Sequence, residues 1–112
     1  MRALFIELPV FEQYRQDYLI DEHYRQLQLF LLKAPKAGDV IAGTGGLRKL
    51  RHADSARGKG KRGGLRIIYF WHEKQRQFWM FTLYNKDEMV DLSPKDRKLL
   101  MERLNLELGA RK

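Results

Sequence analysis

LRIIYFWHEKQRQFWMFTLY, residues 65–84, is the stretch that decides the fold of this 112-residue chain. Two β-rich runs, 65–72 and 78–84, flank the polar connection EKQRQ, a pattern typical of a β-hairpin. Neither run alternates cleanly between apolar and polar residues, so we expect two central strands with both faces at least partly covered. Arg66 lies inside the first run, where its charge must find a partner or line a cleft, because burying it unpaired is costly.

The residues before the hairpin predict a strand, two helices and a further strand. Residues 3–8 (ALFIEL) suit a short strand, and a helix follows from Pro9, which is tolerated in a first turn. Asp21 is the expected N-cap of a second helix that ends before Pro35. Its predicted inward side chains are Tyr24, Leu27, Phe30 and Leu31. The two helices form a predicted αα-hairpin, and residues 47–53 (LRKLRHA) read as the next strand.

A C-terminal helix completes the pattern. Ser93 is a predicted N-cap, followed by Pro94 and by Asp96 in the first turn, and Gly109 is expected to end the helix. Its apolar positions are Leu100, Leu104 and Leu108. The order of elements predicts an α+β fold with a mainly antiparallel four-stranded sheet, an N-terminal αα-hairpin and a C-terminal helix, the helices gathering on one side. Residues 1–112 are expected to form a single domain.

Composition excludes several classes of protein. Apolar residues make up 44% of the chain, which is ample for a packed core. The absence of cysteine excludes disulfides, a thiolate nucleophile and cysteine-ligated metals. The N-terminal apolar run is interrupted too early for a signal peptide, and no stretch has the ~20 apolar residues of a membrane helix. We therefore expect a cytoplasmic protein that does not bind membranes.

The positive charge is concentrated in one segment. The formal net charge is +8, and residues 48–66 hold eight Lys or Arg against one acid, Asp54, while the rest of the chain has 14 basic and 13 acidic residues. Such a concentration is typical of a surface that binds polyanions. Lys49 and Arg51 share strand parity, and Arg66 can project from the corresponding face of the next strand. The intervening loop adds Arg57, Lys59, Lys61 and Arg62. The alternative is a solvated sheet edge whose lysines prevent aggregation.

Nucleotide and metal sites are poorly supported. GTGGLRKL lacks the spacing of a P-loop, and GKGKRGGL leads into a strand rather than a helix. His23, His52 and His72 fall on three different elements without metal-ligand spacing. His72 is either a proton-transfer residue or, more simply, a satisfied histidine at a strand end. We expect no cofactor and no metal.

Three segments resemble the RelE superfamily of bacterial toxins, most closely its HigB-like branch. They are GDVIAGTGGLRKLR (38–51), GKGKRGGLRIIYF (58–70) and TLYNKDEMVDLSPKDRKLL (82–100), and the likeness covers nearly the whole chain. The resemblance implies a ribosome-dependent, metal-independent mRNA endonuclease that is neutralised by a cognate antitoxin, usually a helix-turn-helix protein. Its implied partners are therefore that antitoxin, the 70S ribosome and mRNA.

The resemblance also implies roles for individual residues. Lys49 and Arg51 match a pair that orients RNA, Arg66 matches an arginine at the scissile phosphate, and Lys86 matches a basic residue after the last strand. The implied set that holds RNA or ribosome is Arg48, Arg57, Lys59, Lys61 and Arg62.

The chain departs from the family pattern at two positions. Asp87 stands where a second arginine is usual, and the usual tyrosine position falls near Ser93. The general base therefore stays open among Lys49, Lys61 and Glu88. Tyr84 either stacks on a base or belongs to the core.

Two other functions remain as alternatives. The first is a non-catalytic RNA- or ribosome-binding module of the same fold. The second, a DNA-binding factor, is disfavoured because the basic residues lie on strands and a loop rather than on a helix-turn-helix.

Overall fold

The computed structural model describes residues 1–54 and 64–111, which form three helices and one five-stranded sheet. The helices are α1 (Pro9–Tyr18), α2 (Asp21–Lys33) and α3 (Pro94–Ala110). The strands are β1 (Leu4–Glu7), β2 (Asp39–Val40), β3 (Arg48–His52), β4 (Leu65–His72) and β5 (Gln77–Asn85). Within this part of the chain, no helix combines the length and apolar character needed to cross a bilayer. The predicted α+β class is confirmed.

The sheet has the strand order β1-β5-β4-β3-β2. β3, β4 and β5 pair antiparallel in sequence order, as the hairpin pattern predicts, and β2 is a two-residue addition beside β3. The sheet therefore has five strands rather than the expected four. β1 pairs parallel to the first half of β5, with Leu4 opposite Gln77 and Glu7 opposite Met80. A parallel partner is possible because the two helices and three strands between β1 and β5 allow the chain to return in the same direction.

Helices cover both faces of the sheet, which corrects the expectation that they gather on one side. On one face the αα-hairpin packs through Phe11, Leu27 and Leu31 onto strand residues that include Ile67 and Phe78. On the other face the α3 side chain Leu104 packs with Leu47, Ile68, Phe81 and Trp79. The two apolar faces of β4 and β5 each need cover from water, which is why these strands lack clean alternation.

Helix ends and flanks differ in detail from the sequence prediction. Ser93 and Asp96 form the predicted capping box, in which each backbone N–H donates to the other residue's side chain at 3.1 Å. Asp21 is the first residue of α2 instead of its N-cap, and α3 continues through Gly109 to Ala110. Phe30 is 41% exposed instead of buried, because a helix turns it about 100° away from the buried Leu31.

Tyr69 anchors the connection between α2 and the sheet. Its ring is fully buried, its hydroxyl donates to the Pro35 carbonyl at 2.8 Å, and the Gly38 N–H donates to that hydroxyl at 3.0 Å. A side chain at Gly38 would collide with this arrangement, since a Cβ there lies 2.9 Å from the Tyr69 ring. The contacts fix the segment that leads into β2.

Candidate functional site

The strand register brings the predicted basic side chains onto one face of the sheet. Arg51 of β3 lies directly opposite Arg66 of β4, which in turn lies opposite Tyr84 of β5. Lys49 lies one step further along the same face, opposite Ile68. Opposed residues in an antiparallel pair project to the same side with Cβ atoms about 4.5–5.5 Å apart. We call Lys49, Arg51 and Arg66 the basic row; it lies on the face that α3 covers, as the position of Ile68 shows.

Exposure rises from the centre of the sheet outward. Arg66 is only 6% exposed, and its guanidinium donates to the carbonyl of Leu65 at 3.2 Å. Lys49 is half-buried, and Arg51 is exposed. The sequence prediction that Arg66 meets a phosphate therefore requires neighbouring side chains to move aside when an RNA binds, whereas Arg51 is accessible as it stands.

Lys49 is paired with Asp91, a residue that the sequence reasoning did not select. The Lys49 ammonium lies 3.5 Å from an Asp91 carboxylate oxygen that also accepts the Leu92 N–H at 2.8 Å. The Leu92 N–H, followed by the charge of Lys49, lowers the pKa of Asp91. This carboxylate therefore neutralises part of the charge that Lys49 adds to the basic row. No local pattern could reveal the contact, because it joins residues 42 positions apart.

Tyr84 is a core residue with an unusual hydroxyl. The side chain is 6% exposed, and its oxygen finds no hydrogen-bond partner among residues 1–54 and 64–111. Burial, followed by the nearby charge of Asp91, raises the pKa of the phenol, and Arg66 opposes the rise. The sequence left open whether Tyr84 stacks on a base or belongs to the core. Its burial favours the core.

Lys86 lies at the same end of the sheet, in the turn that follows β5. Its side chain is exposed, and its backbone N–H donates to the Gly64 carbonyl at 3.2 Å. The turn is closed by Asn85 and Glu88, since the Glu88 N–H donates to the Asn85 side chain at 3.0 Å and the Asn85 N–H to the Glu88 carboxylate at 3.3 Å. We call residues 85–89 the Lys86 turn.

Glu88 also reaches the N-terminal hairpin. The Tyr18 hydroxyl lies 2.6 and 2.8 Å from the two Glu88 carboxylate oxygens and donates to that carboxylate. A mainly apolar cavity of about 560 Å³ between α1, β5 and α3 is lined by both residues. None of the three basic-row side chains lines it, although Tyr84, the neighbour of Arg66 across the sheet, does.

One predicted residue, Arg48, is not brought to the basic row. Arg48 has the opposite parity, and its guanidinium donates to the carbonyls of Gly38 at 2.8 Å and Lys36 at 3.3 Å, where it supports the chain before β2. The structure therefore does not place Arg48 with the row. The predicted loop cations lie outside the described residues; they are Arg57, Lys59, Lys61 and Arg62.

His72 does not contribute to the basic row. His72 lies six residues along β4 from Arg66, a separation of about 20 Å at ~3.3 Å per residue. Its Nδ1 accepts the Gln75 N–H at 3.2 Å, so it is the satisfied strand-end histidine and not a proton-transfer group of this site. The described residues also contain no group of three His, Asp or Glu side chains suited to hold a metal.

Comparison with known proteins identifies the fold. No protein-family model matches the sequence. A chain of the intact E. coli RelBE toxin–antitoxin complex is similar in structure, with a TM-score of 0.51 and 12% sequence identity over 73% of this chain and 94% of that one. A double-arginine mutant of E. coli RelE toxin in the free state gives a TM-score of 0.51 and 14% identity over 80% and 90%. At such identities the likeness establishes architecture, and this chain has a RelE-like α+β fold.

Proposed function

We propose that this protein is the toxin of a type II toxin–antitoxin system, a HigB-like member of the RelE superfamily that cleaves mRNA on the ribosome. The RelE-like fold and the three sequence segments that resemble the family support the assignment. The observation that carries it is the basic row, in which Arg51 lies directly opposite Arg66 and Lys49 projects from the same face.

The proposed chemistry is in-line attack of a ribose 2′-oxygen on the adjacent phosphorus. The 2′-hydroxyl loses its proton to a base, the phosphorane gains negative charge, and the bond to the 5′-oxygen breaks as that oxygen takes up a proton. Lys49 and Arg51 orient the RNA, Arg66 stabilises the phosphorane and Lys86 completes the charge clamp. Guanidinium groups suit this task because their planar fork matches phosphate oxygens.

The free structure indicates what RNA binding must change. A phosphate that approaches Lys49 replaces the Asp91 carboxylate. Arg66 becomes accessible only when the side chains that bury it move. The Glu88 carboxylate already accepts hydrogen bonds from Tyr18 and the Asn85 N–H, and the Lys49 ammonium is paired with Asp91, so either residue must leave its present partner before it acts as the base.

The proposed partners are the 70S ribosome with its mRNA, and an antitoxin with a helix-turn-helix domain. One of the similar structures is itself a toxin–antitoxin complex, which supports an antitoxin for this chain. Co-expression with the product of a small neighbouring reading frame tests this partner: rescue of growth together with co-purification is the expected result.

Induced expression followed by primer extension on cellular mRNA tests the activity. We expect growth arrest and cuts at discrete positions that require translation. Arrest with intact mRNA would instead support the non-catalytic RNA- or ribosome-binding module.

Arginine variants test the site. Arg66→Ala should lower cleavage about 10²–10³-fold, the usual loss for one group that stabilises a developing anion. Arg51→Ala should also lower cleavage and leaves the core untouched, because Arg51 is exposed. Arg25→Ala, an exposed cation on α2, is the matched control. If folded Arg66→Ala and Arg51→Ala remain as toxic as the wild type at equal expression, the assignment of the basic row is wrong.

A further inference from the structure

We propose that Tyr18 and Glu88 are positioning residues that fix the Lys86 turn to the end of helix α1. The proposal rests on the function proposed above insofar as it concerns catalysis. Neither residue is assigned contact with the RNA; both act through Lys86.

The link between the two residues is short and polar. The Tyr18 hydroxyl lies 2.6 and 2.8 Å from the two carboxylate oxygens of Glu88, which is 70 positions away in the sequence. Hydrogen bonds to a charged acceptor are shorter and stronger than neutral ones. Burial, and then the hydrogen bond to Glu88, raises the pKa of Tyr18 to about 12, so the phenol keeps its proton and remains a donor at physiological pH.

The helix end that presents Tyr18 is itself fixed. Tyr18 is the last residue of α1, and the next residue, Leu19, is buried in the core. Arg15 donates to the Leu19 carbonyl at 3.0 Å and to Asp21 at 2.8 Å, which joins the end of α1 to the start of α2. A donor held by a rigid element can fix a partner precisely enough for catalysis, which a donor on a loop rarely achieves.

The acceptor is built into the turn that carries Lys86. Glu88 exchanges hydrogen bonds with Asn85 through both backbone N–H groups, and Met89 donates to the Asn85 carbonyl at 3.3 Å. Fixing the Glu88 side chain therefore fixes the turn, and Lys86 is one of the two residues between Asn85 and Glu88. Without the hydroxyl of Tyr18, the turn keeps its local bonds but loses this hydrogen bond to the end of α1.

Amide hydrogen exchange tests the structural part of this inference without any assumption about activity. Tyr18→Phe removes the donor and keeps the ring, and we expect the Lys86 and Met89 amides to exchange about two- to tenfold faster, the range for one lost hydrogen bond. Tyr14→Phe on the same helix is the matched control, because its hydroxyl makes no hydrogen bond to the described residues. Unchanged exchange in the turn, or an equal increase throughout the protein, would overturn the proposal.

A double-mutant cycle tests the catalytic part. Tyr18→Phe should lower mRNA cleavage in the wild-type background and have no further effect in a Lys86→Ala background, because the hydroxyl acts through that lysine. Glu88→Gln, which keeps an oxygen acceptor, should retain more activity than Glu88→Ala. An equal loss from Tyr18→Phe in both backgrounds refutes positioning through Lys86. Absence of cleavage by the wild type refutes the proposed function instead. The exchange data still show whether Tyr18 and Glu88 fix the Lys86 turn to α1.

Discussion

We predict that Asp91 competes with RNA for Lys49, so that neutralising Asp91 strengthens RNA binding. Asp91→Asn removes the negative charge and keeps the oxygen that accepts the Leu92 N–H. Because the Asp91 side chain is 65% exposed and its oxygen lies 3.5 Å from the Lys49 ammonium, the pair contributes little to folding. We therefore expect a change of less than about 1 kcal/mol in the free energy of unfolding.

The expected gain in affinity follows from the same pair. An ion pair of this exposure contributes about 0.2–1 kcal/mol, and that free energy is lost when a phosphate displaces Asp91. Removing the competitor should lower the Kd for RNA by about 1.4- to 5-fold. The gain should shrink as salt is added, because mobile ions screen exposed charges.

Fluorescence anisotropy with a short labelled RNA, at about 50 and about 200 mM salt, measures this effect. Glu22→Gln on α2 is the control, since it makes the same change in net charge at an exposed position away from the basic row. The gain from Asp91→Asn should vanish in a Lys49→Ala background. Equal or weaker binding by Asp91→Asn, or a gain that survives the loss of Lys49, would refute the competition between Asp91 and RNA.

Further predictions concern stability. Tyr69→Phe should lower the free energy of unfolding by about 1–3 kcal/mol in denaturant titrations, because the Gly38 N–H and the Pro35 carbonyl lose their partner. Ser93→Ala removes the cap of α3 and should cost about 1 kcal/mol in the same assay, whereas Ser93→Asn should cost less. Folding raises the pKa of Tyr18 from 10.0 to about 12, so the native state binds this proton more tightly than the unfolded chain does. The resulting contribution to stability is complete below pH 10. That contribution should fall as pH rises from 10 to 12, as measured by thermal unfolding, and the fall should be smaller in Tyr18→Phe.

Features that depend on neighbouring residues were predictable from the sequence. The β4–β5 hairpin, the strand over residues 48–52 and the capping box of Ser93 follow from local pattern and local hydrogen bonds. Strand parity also predicted that Lys49 and Arg51 share a face, because the side-chain period of a strand is two. It allowed Arg66 to lie on that face, and the register of β3 and β4 places it there.

Features that depend on how distant elements pack were not predictable. The order of helices and strands does not state which face of the sheet each helix covers, so the two-sided cover by α2 and α3 was missed. The partners of Asp91 and Glu88 likewise depend on the turn after β5 returning to β3 and α1. A single sequence gives no information about such contacts between residues far apart in the chain.

The parallel pairing of β1 with β5 has a consequence for the order in which this protein can assemble during its own synthesis. Leu4 aligns with Gln77, so among the described residues the first strand gains its partner only after the chain has been made as far as β5. The basic row likewise needs both β3 and β4, and α3, which covers that face, follows them along the chain. Contacts between residues so far apart form late and slowly. In a chain with this topology, the pairing of the first strand and the packing of α3 over the basic row both belong to the late stages of folding.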